Sequence, residues 1–334
     1  MYKRVLLLMF ILLLYLEQIY AQRPGDKVLS VFVDEFDHQW FGTDKGLLRK
    51  CGDIWKPYNT QPGSPGIVND IELQNTEPAV IWIGTNTGII KVNYSADAIR
   101  SATFYNSSVT SFKSDNINAI TFDNKSAVYF STPAGIGVFV NAVWKFYTRL
   151  FEVFRNEFTS AKAKGDTIYF GTKGEGVARI TRYLDGYTGA SAYVTPWSAL
   201  PGDSITCIFF DSKGHQWYGT NKGISRHIRS AAKEGWDFSL TDELPNKHVT
   251  AIAEDKQGNL WIGTMGGLVK LSPGLNIINT WFVSSGLPSD VVNDIFIEKD
   301  QTVWIGTDLG ASHFNGSVFS NIRTSDFAKD FIDL

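Results

Sequence analysis

A four-residue signature, aromatic–x–Gly–Thr, recurs seven times along this chain. The copies are Trp40–Thr43, Trp82–Thr85, Tyr129–Thr132, Tyr169–Thr172, Trp217–Thr220, Trp261–Thr264 and Trp304–Thr307, and only the third departs from it, with Ser131 at the glycine position. Successive copies lie 40 to 48 residues apart. Each sits in the same local grammar, best seen around Asp255–Lys270. Val249, Ala251 and Ala253 alternate with other residues as a first strand. Asp255–Gly258 is a polar turn, Leu260–Thr264 a second strand, Met265-Gly266-Gly267 a reversal, and Leu268–Lys270 a third strand. A further aromatic-rich segment supplies a fourth: Ile54-Trp55, Phe104-Tyr105, Trp144–Tyr147, Trp236–Phe238, Trp281-Phe282 and Val318-Phe319. Repeat 4 is the loosest, and its fourth strand is expected around Ala192–Val194.

A period near 40–50 residues with four strand positions is the mark of a propeller. The expected fold is therefore all-β: a seven-bladed β-propeller of four-stranded antiparallel blades over residues 22–322, with 323–334 as a C-terminal tail. One blade is apolar on both faces and cannot bury them alone; seven around an axis bury each face against a neighbour. The repeated aromatic then reads as the wedge between blades rather than as a sugar-stacking platform, and the glycine beside it as a point of close backbone approach. Repeat 1 opens at its own first strand and Gly316–Ile322 can supply the last strand of repeat 7. All blades are thus contiguous in sequence, and closure is expected to rest on side-chain packing.

The 334 residues carry a formal net charge of −3, which gives no electrostatic basis for binding nucleic acid. Lys3 and Arg4 precede an apolar run, Val5–Leu16, shorter than the roughly 20 residues a membrane helix needs. With the small residue Ala21 following, residues 1–21 read as a secretory signal peptide cleaved after Ala21, and a periplasmic or secreted location follows. No later stretch is apolar enough to span a bilayer, so no stable membrane span remains after cleavage. The two cysteines, Cys51 and Cys207, fall in repeats 1 and 5, too far apart to pair.

The pattern N-x-V-x-x-I … D-x-x-G-x-x-W-I-G-T-x-x-G-L resembles the two-component regulator propeller repeat. It is clearest in His248–Leu268, nearly as clear in Asp290–Gly310, and good in repeats 2 and 5. Repeat 3 departs at Ser131 and repeat 4 at Lys164-Gly165-Asp166, but the resemblance extends over residues 28–322. It implies the periplasmic sensor propeller of hybrid histidine kinases, here as a stand-alone module, and implies binding without cofactor. The partner would be a small molecule, a glycan or an envelope protein. The Gly-His … Trp-Asp pair of WD repeats is absent; the Asp-x-x-Gly-x-x-Trp turn is shared with sialidases, without their arginine cluster. Streptogramin lyases are also seven-bladed and use a histidine with acidic residues on one face, which leaves a lyase-like or glycan-directed enzyme using His248 as the alternative. A scaffold of an envelope assembly is a third reading.

Metal and catalytic motifs are lacking. His38, His215, His227, His248 and His313 form no H-x-x-x-H or H-E-x-x-H pattern, and His38 and His215 occupy matching turn positions. The turns at Asp34–Asp37, Asp211–Gly214, Asp255–Gly258 and Asp300 each offer one or two carboxylates, too few for a calcium loop; Asx hydrogen bonding explains them. No P-loop or G-x-S-x-G occurs. Because strands alternate in direction, the loop leading into each first strand and the Gly turn between second and third strands open on one face, around the central funnel. The candidate ligand-binding residues on that face are Asp70, Asn118, His248, Thr250 and Asn293 from the lead-in segments. The Gly turns add Lys45, Asn86, Lys173, Glu175, Lys222 and Asp308.

Overall fold

Seven consecutive antiparallel sheets account for the chain, each built from four strands in sequence order. The sixth, for example, comprises Val249–Glu254, Leu260–Thr264, Gly267–Leu271 and Ile277–Trp281. The structure, a computed structural model, describes residues 26–61, 64, 66–74, 79–96, 98–148, 157–183, 186–193, 198–229, 234–327 and 329–334. The signal peptide expected over residues 1–21 lies outside the described residues. First strands of neighbouring blades adjoin one another around the axis, so the expected seven-bladed propeller is observed. The fourth strand of blade 4 runs over Gly186–Tyr193, longer and earlier than Ala192–Val194.

Two side chains per repeat make the hairpins. The threonine of each signature is buried, and its hydroxyl donates to the carbonyl of the glycine that ends the next turn, at 2.8–2.9 Å in all seven blades, from Thr43 to Gly46 through Thr307 to Gly310. The same oxygen accepts a turn amide, that of Lys45 in blade 1 and Lys222 in blade 5. The receiving glycine takes a left-handed backbone, φ +144° at Gly267. One buried hydroxyl thus fixes each turn whatever the intervening residues are.

The acidic turn residue does the corresponding work between first and second strands. Asp255 Oδ1 accepts the amides of Gln257 and Asn259, and Oδ2 accepts the indole N–H of Trp261 and the ammonium of Lys270. Asp34 and Asp211 repeat the pattern, with the ring nitrogen of His38 or His215 as an added partner and Trp40 or Trp217 as the indole donor. Burial pulls the Asp255 carboxyl up, but these donors outweigh it and hold it below its ordinary range. A basic side chain lies over the indole in four blades, from the residue directly opposite on the third strand: Arg49 on Trp40, Lys91 on Trp82, Arg226 on Trp217 and Lys270 on Trp261, at 4.6–5.7 Å.

The seven signature aromatics are 0–4% exposed and pack against the following blade, Trp40 beside Val68 and Ile71, Trp261 beside Val292 and Ile295. Beside each, the glycine meets the first residue of the next inner strand. A Cβ on Gly42 would stand 2.5 Å from Val68 Cγ1, one on Gly263 2.7 Å from Val292 Cγ1, and one on Gly306 2.9 Å from Val28 Cγ1. Blade 3, with Ser131, faces Phe158 rather than a β-branched residue, and its buried hydroxyl has no partner.

Ring closure corrects one expectation. Each blade is contiguous, but residues 323–334 are not a free tail. Thr324 and Ser325 bond to Asp26, and Phe327 stacks on Trp55 at 4.2 Å. Ile332 and Asp333 then pair in parallel with Tyr58 and Asn59, adding a fifth strand to blade 1, and Asn59 Nδ2 donates to Asp333 Oδ1 at 2.7 Å. Leu334 packs into the cluster shared by Trp40, Tyr58 and Tyr94 at the seam between blades 1 and 2. Blade 7 is complete without this segment, which uses only the free backbone edge of the outer strand of blade 1.

Trp261→Ala should cost about 3–5 kcal/mol in urea denaturation. Gly263→Ala should cost about 1–3 kcal/mol, because the new methyl meets Val292.

Candidate functional site

The inner strands enclose an axial channel of about 560 Å³, lined by all seven blades. Its walls follow from the strand period. The second residue of each inner strand sits at the lead-in mouth and the fifth lies deeper; in six of the blades a bulge at the second residue, between the first and third, shifts the register.

At the lead-in mouth the second-position side chains form a girdle. Asn69 donates to the carbonyl of Ile117 in blade 3 (2.8 Å) and Asn118 to Phe158 in blade 4 (2.7 Å). Thr159 donates to Ile205, Thr206 to Val249 (2.5 Å), Thr250 to Val292 (2.6 Å) and Asn293 to Val28 (2.9 Å). Every link joins one blade to the next. The seventh position is Leu29, which has no polar side chain to offer Val68. The open link is the seam on which the C-terminal strand lands.

This geometry sorts the residues predicted to bind. The lead-in loops and Gly turns do share a face: the turn amides of Asp44, Asn86, Asn221, Met265 and Asp308 bond to carbonyls of Lys27, Ile67, Ser204, His248 and Val291, at 3.0–3.3 Å. Asn118, Thr250 and Asn293, however, are engaged in the girdle. Asn86 Oδ1 accepts the Ile67 amide, and Asp308 Oδ1 accepts from both Lys27 Nζ (3.0 Å) and Asn293 (2.9 Å). Lys173 pairs with Glu157 at 2.9 Å on the exposed rim, and the Glu175 amide is held by Thr172. His248 is half-buried, its amide donates to Asn246 Oδ1, and burial lowers its imidazole pKa. Lys45 and Lys222 project from exposed turns.

Asp70 lies inside the channel. Its Oδ2 accepts the Ile120 amide of blade 3 at 2.6 Å, and Asp294 likewise accepts the Val31 amide of blade 1 at 2.7 Å. Burial, then the charge of Glu72, pushes Asp70 up to about 8 against the opposing pull of the Ile120 amide and Lys162. Burial pushes Asp294 up to about 6. Deeper still, Lys162 of blade 4 reaches Glu72 of blade 2 at 2.8 Å. The Glu72 charge, the largest influence, raises the Lys162 pKa against the cost of burial. The Cys207 thiol, on the channel wall, is pushed up to about 12 by burial and stays protonated. Sequence reasoning missed Glu72, Lys162 and Asp294. The available signal was charge inside an inner strand, two residues on from Asp70 and Ser160.

Fold and channel define a seven-bladed β-propeller with a polar, titratable axis and turns displayed around one mouth. Residues 243–266, the lead-in and first two strands of blade 6, match the two component regulator propeller family. No curated protein sequence matches the chain. Among solved structures it is similar to an extracellular domain described as part of the hybrid two component system BT3049 of B. thetaiotaomicron (22% identity, TM-score 0.70). That likeness covers 90% of this chain and 40% of the other. It is similar also to PorZ, a bacterial surface component of the type-IX secretion system of Porphyromonas gingivalis (17% identity, TM-score 0.70, covering 89% of this chain and 48% of the other). A third is virginiamycin B lyase of Staphylococcus aureus (14% identity, TM-score 0.67, 86% and 94% covered). At these identities the likenesses establish the fold. The chain spans less than half the length of the first two. Among the described residues no helix is long and apolar enough to cross a membrane.

A raised folded-state pKa means that Asp70 favours folding fully below its unfolded pKa near 4, and that this contribution is lost as pH rises towards 8. Asp70→Asn should therefore be more stable than the parent at pH 7, on the order of 2 kcal/mol, with the advantage gone at pH 4. Urea denaturation at the two pH values measures it.

Proposed function

We propose that the chain is a non-enzymatic recognition module, exported to the periplasm or beyond, that binds a ligand or an envelope protein through the face carrying the lead-in loops and Gly turns. One observation carries this reading. Seven turns are held by the same buried threonine bond, yet no two present the same residues: Asp44-Lys45, Asn86-Thr87, Pro133-Ala134, Lys173-Gly174-Glu175, Asn221-Lys222, Met265-Gly266 and Asp308-Leu309. A constant scaffold with a varied display is what a binding surface requires. The BT3049 and PorZ likenesses are in keeping with it, since those proteins are an extracellular domain and a surface component.

Catalysis at His248 would need a carboxylate beside it. His38, His215 and His313 do pair with carboxylates, the first two within the structural turns.

Lys45→Ala with Lys222→Ala should leave the fold intact, both side chains being exposed, and should lower partner capture from the cell envelope about five-fold or more. Undiminished capture of every partner by a double variant with parental melting would remove this face from consideration.

A further inference from the structure

The fifth-position layer of the channel is divided in two. Blades 2 and 4 contribute Glu72 and Lys162; blades 5, 6, 7 and 1 contribute Phe209, Ala253, Phe296 and Phe32. Thr121, at this position in blade 3, is buried and accepts the Ala163 amide of blade 4 at 2.9 Å. The polar half holds the Glu72–Lys162 ion pair, which leaves 28% and 39% of the two side chains open to the channel. The apolar half is an aromatic wall, with Phe32 and Phe296 in edge-to-face contact at 5.6 Å. The apolar residues also pack at their inner edges on the clusters between blades, Phe32, Phe209 and Phe296 as partly buried neighbours and Ala253 as a member.

The charges in the channel do not balance. Its titratable lining consists of Asp70, Glu72, Lys162, Cys207, Glu254 and Asp294. Glu254 is turned to Ser212, accepting its amide and hydroxyl at 2.6 and 3.0 Å. That leaves three carboxylic groups, Asp70, Glu72 and Asp294, facing one ammonium, Lys162, and the fields of Glu72 and Lys162 act on both aspartates. With Asp70 protonated at neutral pH, Glu72 and Asp294 still outnumber Lys162, and that excess favours a positively charged guest. The phenylalanines give such a guest an apolar surface and add a ring-face attraction for the cation. The volume suits a small molecule.

We propose that this deep half of the channel is a binding site for a small primary-ammonium compound with an apolar or aromatic body. Glu72, assisted by Asp294, takes the ammonium, and Phe32, Phe209 and Phe296 take the body. Lys162 is the internal cation that the guest displaces from Glu72. The site is separate from the lead-in face proposed above and goes beyond that reading.

Isothermal titration of the protein with 2-phenylethylamine, 2-phenylethanol and 3-phenylpropionate tests it. The amine should bind at least about ten-fold more tightly than the neutral and anionic analogues. Glu72→Gln should weaken the amine about ten-fold. Lys162→Met should tighten it, by removing the competing ammonium. These opposite shifts cannot both come from a general loss of structure. Lys45→Ala/Lys222→Ala should leave amine binding unchanged, so failure here is distinguishable from failure of the lead-in face. No amine binding at concentrations up to about 10 mM would overturn the proposal, as would equal binding of the three compounds. Shifts in the same direction for Glu72→Gln and Lys162→Met would overturn it too.

Discussion

The structure depends on one close approach: a second-strand glycine against the first residue of the next blade's inner strand. With Val68 Cγ1 only 2.5 Å from where a Cβ would sit on Gly42, any larger residue there would force Val68 to shift. That contact sets how near adjacent blades come. The indole or phenol beside it, 0–4% exposed, fills the volume further out. A small residue and a large one two positions apart on the same strand face let neighbouring sheets meet at an angle, and repeating that angle closes a ring. Propeller geometry is thus written into the first and third positions of a four-residue signature.

The polar residues around that signature are mostly structural, and each has a definite duty. The threonine ties the Gly turn, the acidic turn residue ties two amides and an indole, and the second-position Asn or Thr ties one blade to the next. Together they satisfy buried polar groups that would otherwise be costly. Blade 1 breaks the girdle with Leu29, and the segment 323–334 adds backbone pairing and the Asn59–Asp333 bond at the outer side of the same seam. Closure here combines six side-chain links near the axis with one strand at the rim.

Much of this was legible in the sequence because repetition multiplies a weak signal. A single aromatic–x–Gly–Thr says little; seven at a near-constant period specify blade number, strand order and the buried role of Trp261. The same repetition misled at the site. Asn118, Thr250 and Asn293 look like ligand-facing polar residues in isolation, yet their side chains reach sideways to the next blade, and only the register at the bulge reveals it. Lys162 could not be placed because its partner, Glu72, lies 90 residues away in a non-adjacent blade. The C-terminal strand was missed for a related reason: Ile332 and Asp333 carry no motif, and their pairing uses backbone groups that any residue would supply.

Repetition also explains why two distinct surfaces remain for recognition. Positions that the blade contacts engage are fixed by packing in every copy. What varies from copy to copy are the two or three residues within each Gly turn and the fifth residue of each inner strand. The first group opens outward around one mouth, and the second opens inward onto the axis. Around the axis that layer reads Phe, Glu, Thr, Lys, Phe, Ala, Phe, a sequence of chemistries with no structural period. A ring whose walls follow a strict repeat and whose lining does not has its asymmetry where a guest would read it. Glu72 and Asp294 outnumber Lys162 there, which is the charge difference the proposed cationic guest would meet.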